Sequence, residues 1–158
     1  MSEENALILK KLMALCSRGE KCEYDAYQYM TKRGASHEDA KLAVEYLVEN
    51  RFIDNERYST AFAADKLRFA KWGKNKIVNA LRLKRIPDTL IQSALDMAID
   101  PDDEKKAIES EVAKKLRGIR GEPRHKIWEK LMRFAISRGY PIATCKPIID
   151  RLMDETND

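Results

Sequence analysis

The feature that most limits what this chain can fold into is a pattern that returns roughly every fifty residues. Lys32-Arg33-Gly34-Ala35-Ser36, Lys84-Arg85-Ile86-Pro87-Asp88 and Ser137-Arg138-Gly139-Tyr140-Pro141 are three versions of one turn, with arginines 52 and 53 residues apart. Counted from those arginines, Ala40, Ala43, Val44 and Leu47 of the first copy fall in register with Cys145, Ile148, Ile149 and Leu152 of the third. The middle copy is one residue shorter here, so Ile91, Ala94, Leu95 and Ala98 join after a one-place shift. Upstream, Ala26, Val78 and Leu131 stand seven before the arginine, and Tyr29, Leu81 and Phe134 stand four before it. Spacings of three and four on both sides of a turn are those of apolar stripes on α-helices.

The remaining punctuation agrees with a helical chain. A first helix is predicted over 5–18, with Leu9, Leu12, Met13 and Cys16 on one face and Gly19 ending it. A second covers 23–33 and stops at Gly34. A third starts from Ser36, whose hydroxyl can accept backbone N–H bonds, with Asp39 three places on in a capping-box-like arrangement. No segment alternates over strand length, and no Asn-Gly or Asp-Gly hairpin signal occurs. Asp100 suits a helix cap, Pro101 a first helical position, and the acids that follow suit the positive end of the helix dipole. The chain is therefore expected to be all-α, with three tandem three-helix repeats at 1–53, 54–100 and 101–158. Stacked end to end, such small units would form an elongated, curved right-handed or solenoid-like body. The rival organisation is one globular bundle whose helices resemble each other by chance.

Charge is distributed unevenly. The net charge is +4, yet residues 66–86 hold eight of the 30 basic residues and no acid. That block contains Lys66, Arg68, Lys71, Lys74, Lys76, Arg82, Lys84 and Arg85. Any one of these cations is accounted for by a solvated helix face. An acid-free block of this length is instead expected where a surface meets something anionic. On a helix over 74–85, Lys74, Val78, Arg82 and Arg85 would share one face, with Ile77, Ala80 and Leu81 forming the buried stripe beside it. Such a face can meet phosphates or the acidic residues of a protein, and the residues alone do not choose between them. A second basic stretch over 114–138 includes Arg120, Arg124 and Lys126 against Glu122 and Glu129. Trp72 and Trp128 lie in these two regions. Base stacking is open to them, but packing is the expected use of large aromatics, as it is for Tyr24, Tyr27 and Tyr29.

Within residues 51–98, a set of motifs resembles the RecX family. They are Phe52-Ile53-Asp54-Asn55 before an aromatic helix with Tyr58 and Phe62, then Gly73-Lys74-Asn75-Lys76-Ile77 leading to Leu81. The turn Lys84-Arg85-Ile86 and the apolar run at Leu90-Ile91 and Ala94-Leu95 complete the set. Arg51 and Arg85 stand where that family often has Gly. If the second turn needs a left-handed residue, Arg85 costs about 1 kcal/mol relative to Gly; the shorter middle loop offers a way around this. The resemblance implies a regulator that binds RecA–DNA filaments, lies along their groove, and limits ATP hydrolysis, strand exchange and filament growth in homologous recombination and DNA repair.

Other functions find less support. No P-loop, Gly-x-Ser-x-Gly or His-Glu-x-x-His motif is present, so no enzyme activity is expected. Three cysteines fit a reducing compartment. Cys16 and Cys22 lack zinc-knuckle spacing, so neither metal nor cofactor is expected, and Cys16 and Cys145 read as small core residues. Ser2, Glu3 and Glu4 do not suit a secretory signal, and no apolar run approaches a membrane span. A cytoplasmic monomer without membrane contact is expected. The main rival function is direct DNA binding by helix-turn-helix-like units. The basic face has few Asn, Gln or Ser residues for reading base edges, so contact with single- or double-stranded DNA would run through phosphates, independently of sequence.

Overall fold

The computed structural model describes residues 1–156; residues 157 and 158, the end of the third expected repeat, lie outside the described residues. Among the described residues there are nine α-helices and no strand. They are α1 (Glu3–Cys16), α2 (Glu23–Lys32), α3 (His37–Glu49), α4 (Asn55–Arg68), α5 (Lys74–Leu83), α6 (Asp88–Ala98), α7 (Pro101–Arg117), α8 (Arg124–Ser137) and α9 (Ile142–Glu155).

The helix starts are set by side chains that accept otherwise orphaned backbone N–H groups. Ser36 Oγ accepts from Asp39 N–H at 3.1 Å, and Asp54 accepts from Glu56 and Arg57 at 2.8 and 3.1 Å. Asp100 accepts from Asp102 and Asp103 ahead of α7, with Pro101 in the first turn. Cys22, fully buried, uses its sulfur in the same way towards Asp25 N–H. The end of α1 differs from expectation. It stops at Cys16, because the Ser17 hydroxyl bonds back to the Ala14 carbonyl at 2.6 Å. A serine that satisfies the last turn locally competes with helix continuation, and Gly19 is not a left-handed cap.

The second helix of each triplet ends in one motif. Gly34, Arg85 and Gly139 have φ of 98°, 58° and 87°. The next N–H, of Ala35, Ile86 or Tyr140, reaches back to the carbonyl of Met30, Leu81 or Ala135. This is a Schellman end, and it corrects the register. The left-handed residue, not the arginine, is the equivalent point, so Arg85 matches Gly34 and Gly139. The middle copy then needs no shift downstream of the turn. Upstream, Ile77 rather than Val78 matches Ala26 and Leu131, and Leu81 matches Met30 and Ala135. All six of these residues are fully buried, whereas Val78, Tyr29 and Phe134 are only half-buried. The shorter middle turn does not spare Arg85 its strain, and Arg51, at the end of α3, is left-handed as well with φ of 60°.

By their contacts the described residues form two compact units: Met1–Phe62 with Leu81–Ala94, and Ala63–Ala80 with Leu95 onward. The first holds a core of Leu12, Ala26, Met30, Ala40, Ala43, Leu47 and Ile53. The second holds Ile108, Val112, Leu131, Ala135, Tyr140, Cys145, Ile149 and Leu152. Cys145 is thus a core residue as expected, and Cys16 is half-buried against the first core. The unit boundaries fall inside α4, α5 and α6. No helix among the described residues is long and apolar enough to cross a membrane.

Candidate partner interface

The basic residues singled out by the sequence fall into two groups, one in each compact unit. In the first unit, the turn after α5 rests on the start of α2. Lys84 Nζ meets Asp25 Oδ1 at 2.6 Å, and Arg85 lies 5.4 Å over the Tyr24 ring. The hydrogen bond to Asp25 raises the Lys84 pKa, so its ammonium stays charged. Arg82 is forked onto Asp88 at 3.0 and 3.4 Å. These contacts change the predicted face. Because α5 stops at Leu83, Arg85 leaves the helix through its left-handed backbone, and Arg82 is already ion-paired. Lys74 and Val78 remain on that face, both half-buried. Ile77 and Leu81 are buried as expected, while Ala80 is half-buried.

The equivalent contact in the second unit is made by backbone instead of charge. The turn after α8 sits on the start of α5: Gly73 N–H donates to Arg138 O at 2.6 Å, and Asn75 N–H donates to Gly139 O at 3.0 Å. A Cβ on Gly139 would lie 2.4 Å from Lys76 Cβ, and one on Gly73 2.4 Å from the Gly139 carbonyl. The two glycines permit that approach. The Tyr140 hydroxyl donates to the Lys71 carbonyl at 2.8 Å. Burial pushes that phenol up to about 12, so it stays a donor. Lys71 itself is left-handed, with φ of 59°. The loop carrying Lys71 and the start of α5 with Lys74 are therefore clamped at three points.

Around this loop, the ammonium groups of Lys66 and Lys76 lie 4.7 and 4.5 Å from the Trp72 ring centroid, within cation–π range. Trp72 thus packs its half-buried ring beneath two lysine side chains. Arg68 and Lys71 are exposed, and with Lys74 they form no ion pair among the described residues. Arg68 lies 5.3 Å over the ring of Phe69, which is 72% exposed.

In the stretch 114–138, four cations are engaged by acids, two of these acids inside the stretch and two outside it. Arg124 donates to Met153 O and to Asp154, Lys130 pairs with Glu122 at 2.9 Å, and Arg138 approaches Glu111. Lys126 is 3.8 Å from Glu129. Arg120 is exposed in the loop between α7 and α8 and forms no ion pair among the described residues. Trp128 is packed against the core, and its indole N–H donates to Asp150 at 2.8 Å.

Tyr24, Asp25, Gly139 and Tyr140 were not among the residues expected to shape the site. Only the left-handed glycine had a local signal; the others act through residues far away in the chain. Burial raises all three thiols, Cys22 to about 11, which disfavours thiolate chemistry. No cluster of metal-ligating side chains occurs among the described residues.

Comparison with known proteins adds independent findings. A family profile described as RecX, second three-helix domain, matches residues 54–95. A regulatory protein RecX of Clostridium tetani (strain Massachusetts / E88) is 29% identical over 157 residues, covering 97% of this chain and 71% of the relative. One of Clostridium perfringens (strain SM101 / Type A) is 30% identical over 134 residues, covering 84% of this chain and 62% of the relative. The chain thus spans about two thirds of the length of these relatives. A crystal structure of regulatory protein RecX superposes with a TM-score of 0.84 at 18% identity, covering 94% of this chain and 74% of that one. RecX from Lactobacillus salivarius gives 0.80 at 12% identity, covering 96% and 98%. These two likenesses establish the all-helical fold.

Proposed function

Since this chain belongs to the RecX family of regulatory proteins, we propose that it binds RecA–DNA filaments and inhibits the recombinase, lowering ATP hydrolysis, strand exchange and filament growth. It would do so in the cytoplasm, as a monomer built from the three repeats at 1–53, 54–100 and 101–158. The observation that carries this reading is the acid-free block 66–86, in which Arg68, Lys71 and Lys74 form no ion pair among the described residues. A surface of that kind attracts a polyanion, and a filament of protein on DNA offers phosphates along its length. Lys66, Lys76, Arg82, Lys84, Arg85, Arg120, Arg124 and Lys126 would contribute to the field, several of them while bound to partners within the chain.

The test is a titration of the protein into RecA assembled on single-stranded DNA, following ATP hydrolysis and strand exchange. Inhibition at stoichiometric amounts is expected. No effect at excess protein would overturn the proposal. The second reading, sequence-independent DNA binding alone, is favoured by the same unpaired cations. It predicts that affinity for naked DNA equals affinity for the filament, and that both fall steeply with salt.

A further inference from the structure

The second compact unit contains a solvent-open cleft of ≈ 460 Å³ beside the clamped loop. This volume lies within the roughly 300–1,000 Å³ of pockets that bind ligands. Leu67, Trp72, Ile99, Ile108 and Tyr140 give it an apolar lining. Asp100, Asp103 and Glu104 at the start of α7 line it, and so do Arg68 and Lys71. The Asp100 carboxylate is engaged by the helix N–H groups of Asp102 and Asp103. Asp103 and the half-buried Glu104 form no ion pair among the described residues. Two strongly exposed apolar side chains, Phe69 at 72% and Met97 at 75%, are the immediate chain neighbours of the lining residues Arg68 and Ala98.

We propose that this cleft is a protein-docking site that takes one large apolar side chain next to a lysine or arginine, from a segment of the filament protein. Its chemistry selects that occupant. The apolar lining asks for a desolvated anchor, and anchored apolar side chains dominate the energy of protein interfaces. The Asp103 and Glu104 carboxylates at the start of α7, which form no ion pair among the described residues, repel phosphate and attract a cation. Arg68 and Lys71, both exposed, remain available to phosphates. The chain would then meet protein and DNA at adjacent places, each through its own charge.

This inference rests on the filament-binding reading, and its test separates the two. Ala107, exposed on α7, lines the cleft, so Ala107→Trp fills it without touching the core. Asp103→Lys reverses one of the lining charges at an exposed position. Binding of wild type and both variants to RecA–DNA filaments and to the same single-stranded DNA without RecA is measured at one salt concentration, with sedimentation of each protein alone. Each variant is expected to lose about tenfold in filament affinity, the effect of one anchor of moderate strength. DNA affinity should hold for Ala107→Trp and not fall for Asp103→Lys. Unchanged filament affinity for both variants, with wild type binding, overturns the cleft assignment and leaves the functional reading intact. A loss by Ala107→Trp equal on filament and naked DNA makes nucleic acid the occupant and also overturns it. Self-association of the wild type that Ala107→Trp abolishes would assign the cleft to a second copy. If wild type does not bind the filament, the functional reading and the cleft assignment fall together.

Discussion

Among the described residues, three that are not glycine, Arg51, Lys71 and Arg85, hold a left-handed backbone, and all three are basic. An L-residue there is strained by about 1 kcal/mol relative to glycine. Part of that is offset where the cation lies at the negative end of a helix dipole. Arg51→Gly and Arg85→Gly are therefore expected to leave stability unchanged or raise it by up to about 1 kcal/mol, measured by urea unfolding. A loss of stability would mean that the Arg85–Tyr24 contact, or the charge at the end of α3, outweighs the backbone term. The glycines at equivalent turns separate conformation from space. Gly34 has open space around a built Cβ, while Gly139 has none. Gly34→Ala is expected to cost about 1 kcal/mol, from backbone conformation alone. Gly139→Ala adds a clash with Lys76 and should cost more than about 3 kcal/mol. Equal losses would contradict the close approach of Gly139 to α5.

The helices were legible in the sequence because their signals are local. Ser36, Asp54 and Asp100 cap from within three residues of the N–H groups they satisfy. The arginines put the upstream register of the middle triplet one place off, because its left-handed residue is Arg85, equivalent to Gly34 and Gly139 and not to Arg33 and Arg138. The state of the candidate site was only partly legible for a different reason. Asp25 and Lys84 are 59 positions apart, and Arg124 and Asp154 are 30 apart. Such pairings depend on tertiary structure and leave no periodic trace. The Lys84–Asp25 pair is partly exposed, so it is expected to contribute less than about 1 kcal/mol. Because Asp25 raises the Lys84 pKa, that contribution is fully present below the ordinary lysine value of about 10.4. It disappears only as pH rises through the raised value. The difference in stability between wild type and Lys84→Met should then be flat from pH 7 to 9, and a steep change across that window would contradict the assignment. By contrast Leu131, fully buried on α8, belongs to a core, and Leu131→Ala should cost about 2–5 kcal/mol.

For the whole molecule, the likeness to RecX proteins and the all-helical fold agree with the resemblance read from the sequence, and the electrostatic pattern supplies the functional reading. Over 114–138, four of the nine basic residues are engaged by acids: Arg124 by Asp154, Lys126 by Glu129, Lys130 by Glu122 and Arg138 by Glu111. The functional reading rests on Arg68, Lys71 and Lys74 because they stand in the block that holds no acid. Binding that rests on phosphate contacts loses affinity with salt in proportion to the contacts made. Replacing these three residues by Ala should lower the salt slope as well as the affinity, and leave thermal stability within about 0.5 kcal/mol. The most direct measurement is RecA-catalysed strand exchange in the presence of increasing amounts of wild type or of the triple Ala variant. The account predicts that wild type inhibits at amounts comparable to RecA, and that the variant needs roughly tenfold more protein, as for a loss of about 1.4 kcal/mol. Strand exchange that proceeds unchanged in excess wild-type protein would contradict it.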